Sequence, residues 1–155
     1  MDWREPMAGR TRLPRMVPAL AFLAILGGLS TTPPYLGGAI GVELGNVSST
    51  VEVVDHVVPG LLVFLAAGLS FLLLRAGSLT QDGLLLAIAV AICVLAGVWE
   101  TTSHVPLVLE GGRPESPWGA VVLHSLLGPF IAGLSLWLLL RVLTVEPGGE
   151  RRTAR

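Results

Sequence analysis

The chain has 155 residues, 52% of them hydrophobic and 14% charged, with a formal net charge of −1 at pH 7. Water-soluble domains carry about a quarter charged residues, so a soluble globular fold would lack the polar surface to cover itself, and nothing in the charge balance points to nucleic acid. A mean hydropathy of +0.74 points instead to an all-α integral membrane protein, one domain whose helix faces meet inside lipid.

Four apolar stretches follow in order, 16–29, 57–74, 84–99 and 118–140. The first is preceded by Arg4, Arg10, Arg12 and Arg15 and runs on through Ser30, Thr31 and Thr32 toward Pro33 and Pro34. A basic leader before a short apolar run also describes a secretory signal peptide. No Ala-x-Ala cleavage site follows, so the stretch reads as an uncleaved anchor helix; cleavage would leave three helices in the same orientation. Residues 35–50, rich in Gly, Ser and Asn, read as an external loop. The second and third stretches reach the roughly 20 residues needed to span a bilayer only by extending outward over polar groups. These are Asp55 and His56 in one and Glu100 to His104 in the other. The turn from Ala76 to Asp82 is short and makes helices two and three a hairpin. Gly60, Ala66, Ala67 and Gly68 on one and Ala87, Ala91, Ala96 and Gly97 on the other are small enough for close contact between them. The fourth stretch contains His124.

All ten basic residues are arginine, and nine of them lie on one side of the implied bilayer: the four of the leader, Arg75, Arg141, Arg151, Arg152 and Arg155. Arg113 alone lies opposite, in a loop from Pro106 to Pro117. The positive-inside rule therefore gives four transmembrane helices, at about 16–36, 51–74, 83–105 and 118–141, in an antiparallel bundle with both termini cytoplasmic. Residues 1–15 form a basic cytoplasmic N-terminus, 16–143 the membrane domain and 144–155 a cytoplasmic tail of a multi-pass cell-membrane protein. Trp99 and Trp118 fall at the outer interface and Trp137 nearer the inner one, as an aromatic belt requires.

The ionisable residues gather at the outer end. Counting from Arg75, Asp82 and Arg141 at about 1.5 Å per residue places His56, Glu100 and His124 roughly 26–29 Å from the inner edge, with Glu52 and His104 one turn further out. Glu and His are four apart in both helices, so each pair shares a face. Opposite chain directions then predict crosswise pairing, Glu52 with His104 and His56 with Glu100. Intramembrane ionisable groups are costly and mark sites. One reading is a transition-metal site, Zn, Cu or Fe, held by His56, Glu100, His104, His124 and Glu52. Another is haem, with His56 and His124 as axial ligands and Gly60 and Gly128 leaving room for the porphyrin. The bland reading is a polar clasp, or a docking feature for another membrane subunit, in a non-catalytic accessory protein. A ferritin-like di-iron site is disfavoured, because its Glu-x-x-His spacing and extra carboxylates are missing. Pro59 and Pro129 free carbonyls beside the histidines. A proton path is disfavoured because the inner halves of the helices lack ionisable groups. Cys93 stands alone and reads as core, which leaves no disulfide or thiolate cluster within one chain. No nucleophile elbow, phosphate loop or HExxH motif is present.

Overall fold

The computed structural model describes residues 16–32, 49–76, 83–109, 122 and 125–144, except the side chains of Ser49, Glu52 and Leu107. Among the described residues the fold is all helical, without strands: α1 (Val17–Ser30), α2 (Val58–Arg75), α3 (Gly83–Leu109) and α4 (Leu127–Leu143). The expected external loop before residue 49, the turn after Ala76, the loop carrying Arg113, Trp118 and both terminal arginine clusters lie outside the described residues.

Helix α1 opens with Pro18 in its first turn, where a missing N–H costs nothing. It closes where the Thr31 and Thr32 hydroxyls each donate at 2.7 Å to the carbonyls of Gly28 and Leu29, so it stops short of the expected residue 36. Before α2, a single turn Ser49–Glu52 runs into a π-helical segment, Val53–Val57. Pro59 explains its position. Proline donates no hydrogen bond to the fourth carbonyl before it, so the α-helical ladder cannot close over Asp55, and the wider i→i+5 pattern takes over just upstream. Helix α3 continues through Pro106 to Leu109, so the loop holding Arg113 starts later than the proline had implied. Pro129 falls in the first turn of α4, where it opens the helix rather than kinking its middle.

The two most extensive interfaces are α1 with α2 and α3 with α4; α2 against α3 is smaller, and α1 also touches α4. The small residues explain this ranking and correct the expected use of Gly60 and Gly97. A Cβ placed on Gly27 would lie 2.6 Å from the Phe64 backbone nitrogen, and one on Gly60 would lie 2.8 Å from the Gly27 carbonyl oxygen. On the other side, a Cβ on Gly97 would lie 2.5 Å from Ala132 N, and one on Gly128 would lie 2.6 Å from Thr101 N. The glycines thus bring backbones together within the pairs α1–α2 and α3–α4. Leu20, Leu23, Val63, Leu86, Val90, Cys93, Ile131 and Leu138 fill the centre. Cys93 is fully buried there, its Sγ 4.0 Å from the Val63 carbonyl oxygen.

The outer surface is apolar on every helix. Phe22, Ile25, Leu65, Leu69, Leu72, Leu95, Phe130 and Leu140 are all exposed, whereas Ser30, His56, Ser70, Glu100, His104 and Ser135 are buried. By length and composition, two helical stretches are able to cross a membrane, Val53–Arg75 and Gly83–Pro106. The apolar helices Val17–Ser30 and Leu127–Leu143 are shorter, about 21 and 25 Å at 1.5 Å per residue against a hydrocarbon core of about 30 Å.

Candidate functional site

Three helices bring polar side chains to one place at one end of the bundle. Ser30 arrives on the last residue of α1, His56 on the π-helical segment before α2, and Glu100 and His104 on successive turns of α3. All four are at least nine-tenths buried. The pattern that puts them inside is the one that packs the hydrophobic core: Ser30 follows Leu23, Leu26 and Gly27 on one face of α1, and Glu100 follows Cys93, Ala96 and Gly97 on one face of α3.

Glu100 is the hub. Ser30 Oγ donates to its Oε1 at 2.7 Å, across seventy residues of sequence, and His56 Nδ1 lies 3.9 Å from the same oxygen. The first is a hydrogen bond; the second is an electrostatic contact beyond hydrogen-bond range. The second carboxylate oxygen, Oε2, is buried and has no hydrogen-bond partner among the described residues. His104 turns back on its own helix, its Nδ1 2.6 Å from the Glu100 carbonyl oxygen and 3.0 Å from Ser103 Oγ. A carbonyl only accepts, so Nδ1 carries the proton, and in the neutral ring the lone pair resides on Nε2. The His104 and His56 rings lie beside each other, with centroids 4.7 Å apart and planes inclined at 58°.

Of the residues expected at the site, His56, Glu100 and His104 come together. His56 faces Glu100 as crosswise pairing requires, but His104 joins His56 instead of standing a layer apart. His124 lies outside the described residues, as does the side chain of Glu52. A π-helical segment lies between Glu52 and His56, so the shared-face argument from α-helical spacing does not carry across that pair. Among the described residues, no three or more of His, Cys, Asp and Glu are arranged to hold a metal ion. The space expected beside Gly60 and Gly128 for a porphyrin is filled, by Gly27, Ser30 and Thr31 at one and by Glu100 and Thr101 at the other. Sequence reasoning missed Ser30. Its signal was a hydroxyl one turn past Gly27 at the outer end of the first stretch.

The arrangement links three helices through one carboxylate: Glu100 of α3 accepts from Ser30 of α1 and faces His56 of the α2 lead-in, while His104 bonds the backbone of its own helix. Comparison with family models of proteins, with curated proteins and with solved structures gives no match.

Proposed function

We propose that the chain is a small multi-pass protein of the cell membrane, four helices in an antiparallel bundle with both termini cytoplasmic, and that it acts as a non-catalytic accessory subunit whose polar cluster clasps the outer end of the bundle. The observation that carries this reading is the hydrogen bond from Ser30 to the buried Glu100, which joins the first helix to the third where glycine contacts do not. Membrane insertion is supported by the inversion of polarity, with serine, histidine and glutamate inside and leucine and phenylalanine outside. In water that surface would aggregate; in lipid it is the solvated face. The antiparallel order is supported by contacts that run in opposite senses along neighbouring chains, Ala24 near Gly68 but Ser30 near Gly60, and Cys93 near Val63 but Glu100 near His56. The nine-to-one arginine asymmetry supports the orientation.

A clasp and a ligand site separate by experiment. Protein purified in detergent without chelators is analysed for bound metals and scanned for visible absorbance, then melted with and without added Zn. The clasp reading expects no stoichiometric metal, no Soret band and a melting midpoint unmoved by Zn, with Glu100→Ala lowering the midpoint under both conditions. Stoichiometric metal or haem, lost in His56→Ala, would overturn it.

A metal-handling role is the second reading, and the specific observation in its favour is the pair of adjacent imidazoles, His56 and His104, with His56 Nδ1 3.9 Å from the buried Glu100 carboxylate.

A further inference from the structure

We propose that the four helices are two copies of one helical hairpin, joined in tandem and packed about a pseudo-twofold axis, and that Ser30 and Glu100 are the equivalent residues that meet at that axis. Neither the membrane reading nor the clasp reading is needed for this.

The sequence of residues 20–32, LAFLAILGGLSTT, lies over that of residues 90–102, VAICVLAGVWETT, when shifted by 70 (Gly27 to Gly97). Ala21, Gly27, Thr31 and Thr32 then match Ala91, Gly97, Thr101 and Thr102. Burial follows the same shift. Met16, Leu20, Leu23, Leu26, Gly27 and Ser30 are buried in the first unit, and Leu86, Val90, Cys93, Ala96, Gly97 and Glu100 in the second. The second helices align at a shift of 68 (Gly60 to Gly128), where buried Val63, Ala67 and Ser70 meet buried Ile131, Ser135 and Leu138. At that shift the sequence also sets His56 over His124.

Any two inward-facing helices share a periodicity, so burial alone would not show a repeat. The glycine contacts go further. Gly27 sits against Val63 and Phe64, and Gly97 against Ile131 and Ala132, the same two positions after the shift. Gly60 sits against Ser30 and Thr31, and Gly128 against Glu100 and Thr101. Four close approaches therefore repeat in register, each unit locking its two helices by the same pair of reciprocal contacts. The interfaces agree in kind, since α2 packs on α3 and α4 on α1, the former more extensively; a twofold relation between α1–α2 and α3–α4 calls for both.

Two equivalent residues of a twofold pair touch only where the axis passes between them. Ser30 and Glu100 do so at 2.7 Å, which fixes the axis at the polar end. Two identical hairpins would place serine against serine or glutamate against glutamate there, two buried carboxylates in the second case. Joining the copies in one chain lets the two positions differ, one hydroxyl to donate and one carboxylate to accept. If the surroundings are equivalent, the two are interchangeable.

The test is an exchange in the full chain. Melting midpoints in detergent are compared for the unaltered protein, Ser30→Glu, Glu100→Ser and the double exchange Ser30→Glu/Glu100→Ser. Both single substitutions should lower the midpoint, the first by setting two carboxylates together and the second by leaving two hydroxyls without the charged acceptor. The double exchange should regain more than half of the loss caused by Ser30→Glu. A double variant as unstable as the two single losses summed overturns the proposal. So does one that fails to accumulate while Glu100→Ser accumulates normally. As a charge-free second measure, Gly27→Ala and Gly97→Ala should lower the midpoint by matching amounts, and tolerance of one beside collapse of the other overturns the repeat.

Discussion

Gly97→Ala adds a single methyl group at the closest approach among the described glycines. Its Cβ would lie 2.5 Å from Ala132 N, 2.9 Å from Ala132 Cα and 2.9 Å from Ile131 Cγ2. Ordinary contact begins at 3.4 Å, so relief of the worst clash requires α3 and α4 to separate by about 0.9 Å (3.4 − 2.5). Two of the three colliding atoms, the nearest included, are backbone, which no rotamer change removes. A gap of 0.5–1 Å forfeits about a quarter to a half of the dispersion attraction at each contact it opens, and overpacking of this kind costs about 1–3 kcal/mol. The upper half of that range is expected, because α3–α4 is one of the two most extensive interfaces and its separation opens contacts along its length. Gly133→Ala on α4 is the control, since a Cβ there meets nothing within 4 Å. It should be neutral or stabilise by up to about 1 kcal/mol, the helix preference of alanine over glycine. Both variants are measured by denaturant-induced loss of helical circular dichroism in mixed micelles. If Gly97→Ala proves as benign as Gly133→Ala, the close-packed pair is wrong and the assignment of glycines to α1–α2 and α3–α4 fails with it.

A double-mutant cycle of Ser30→Ala and Glu100→Ala should return a coupling of about 0.6 kcal/mol, the average found for hydrogen bonds between membrane helices, and no more than about 1.7 kcal/mol; a value within about 0.3 kcal/mol of zero would mean that the 2.7 Å contact does not hold α1 to α3. Pro59→Ala restores the missing N–H and should allow the ladder to close over Asp55 as an α-helix, turning His56 away from Glu100. The reading is that His56→Ala then costs less stability in the Pro59→Ala background than in the native one; equal cost in both would detach the π-helical segment from the site. Reporter fusions after Arg155 and at Gly45 should report cytoplasmic and external locations, respectively, and the reverse at either point would remove the proposed topology.

Helix existence was legible because apolar runs without charge leave the backbone few alternatives in lipid, and the Glu100–His56 neighbourhood was legible because depth counting is reliable along a regular helix. Pairing was less so. The small residues of α2 and α3 pointed to a close hairpin, but a glycine has two flanks and the sequence does not show which neighbour takes the open one; Gly60 gave its space to α1 and Gly97 to α4. Pro106 read as a loop residue, yet α3 carries it within its last turns, a position where the lost backbone bond is easily made good. The π-helical segment was hidden because it depends on where Pro59 falls relative to the ladder rather than on any residue preference of Val53–Val57. Ser30 was passed over as an end signal, since a hydroxyl at a helix terminus is ordinarily occupied with the local backbone, as Thr31 and Thr32 are.

The position of Glu100 also bears on the order in which the chain is made. Under the proposed topology, α1 and α2 leave the ribosome first, and their reciprocal glycine contacts let them close as a unit before α3 is complete. Ser30 and His56 then already stand in the bilayer when Glu100 emerges. The buried carboxylate of Glu100 thus enters last of the three, into a site that offers it a donor on arrival, and does not wait unpaired in hydrocarbon. An arrangement with glutamate on α1 and serine on α3 would fold to the same contacts yet leave the acid exposed to lipid for most of synthesis.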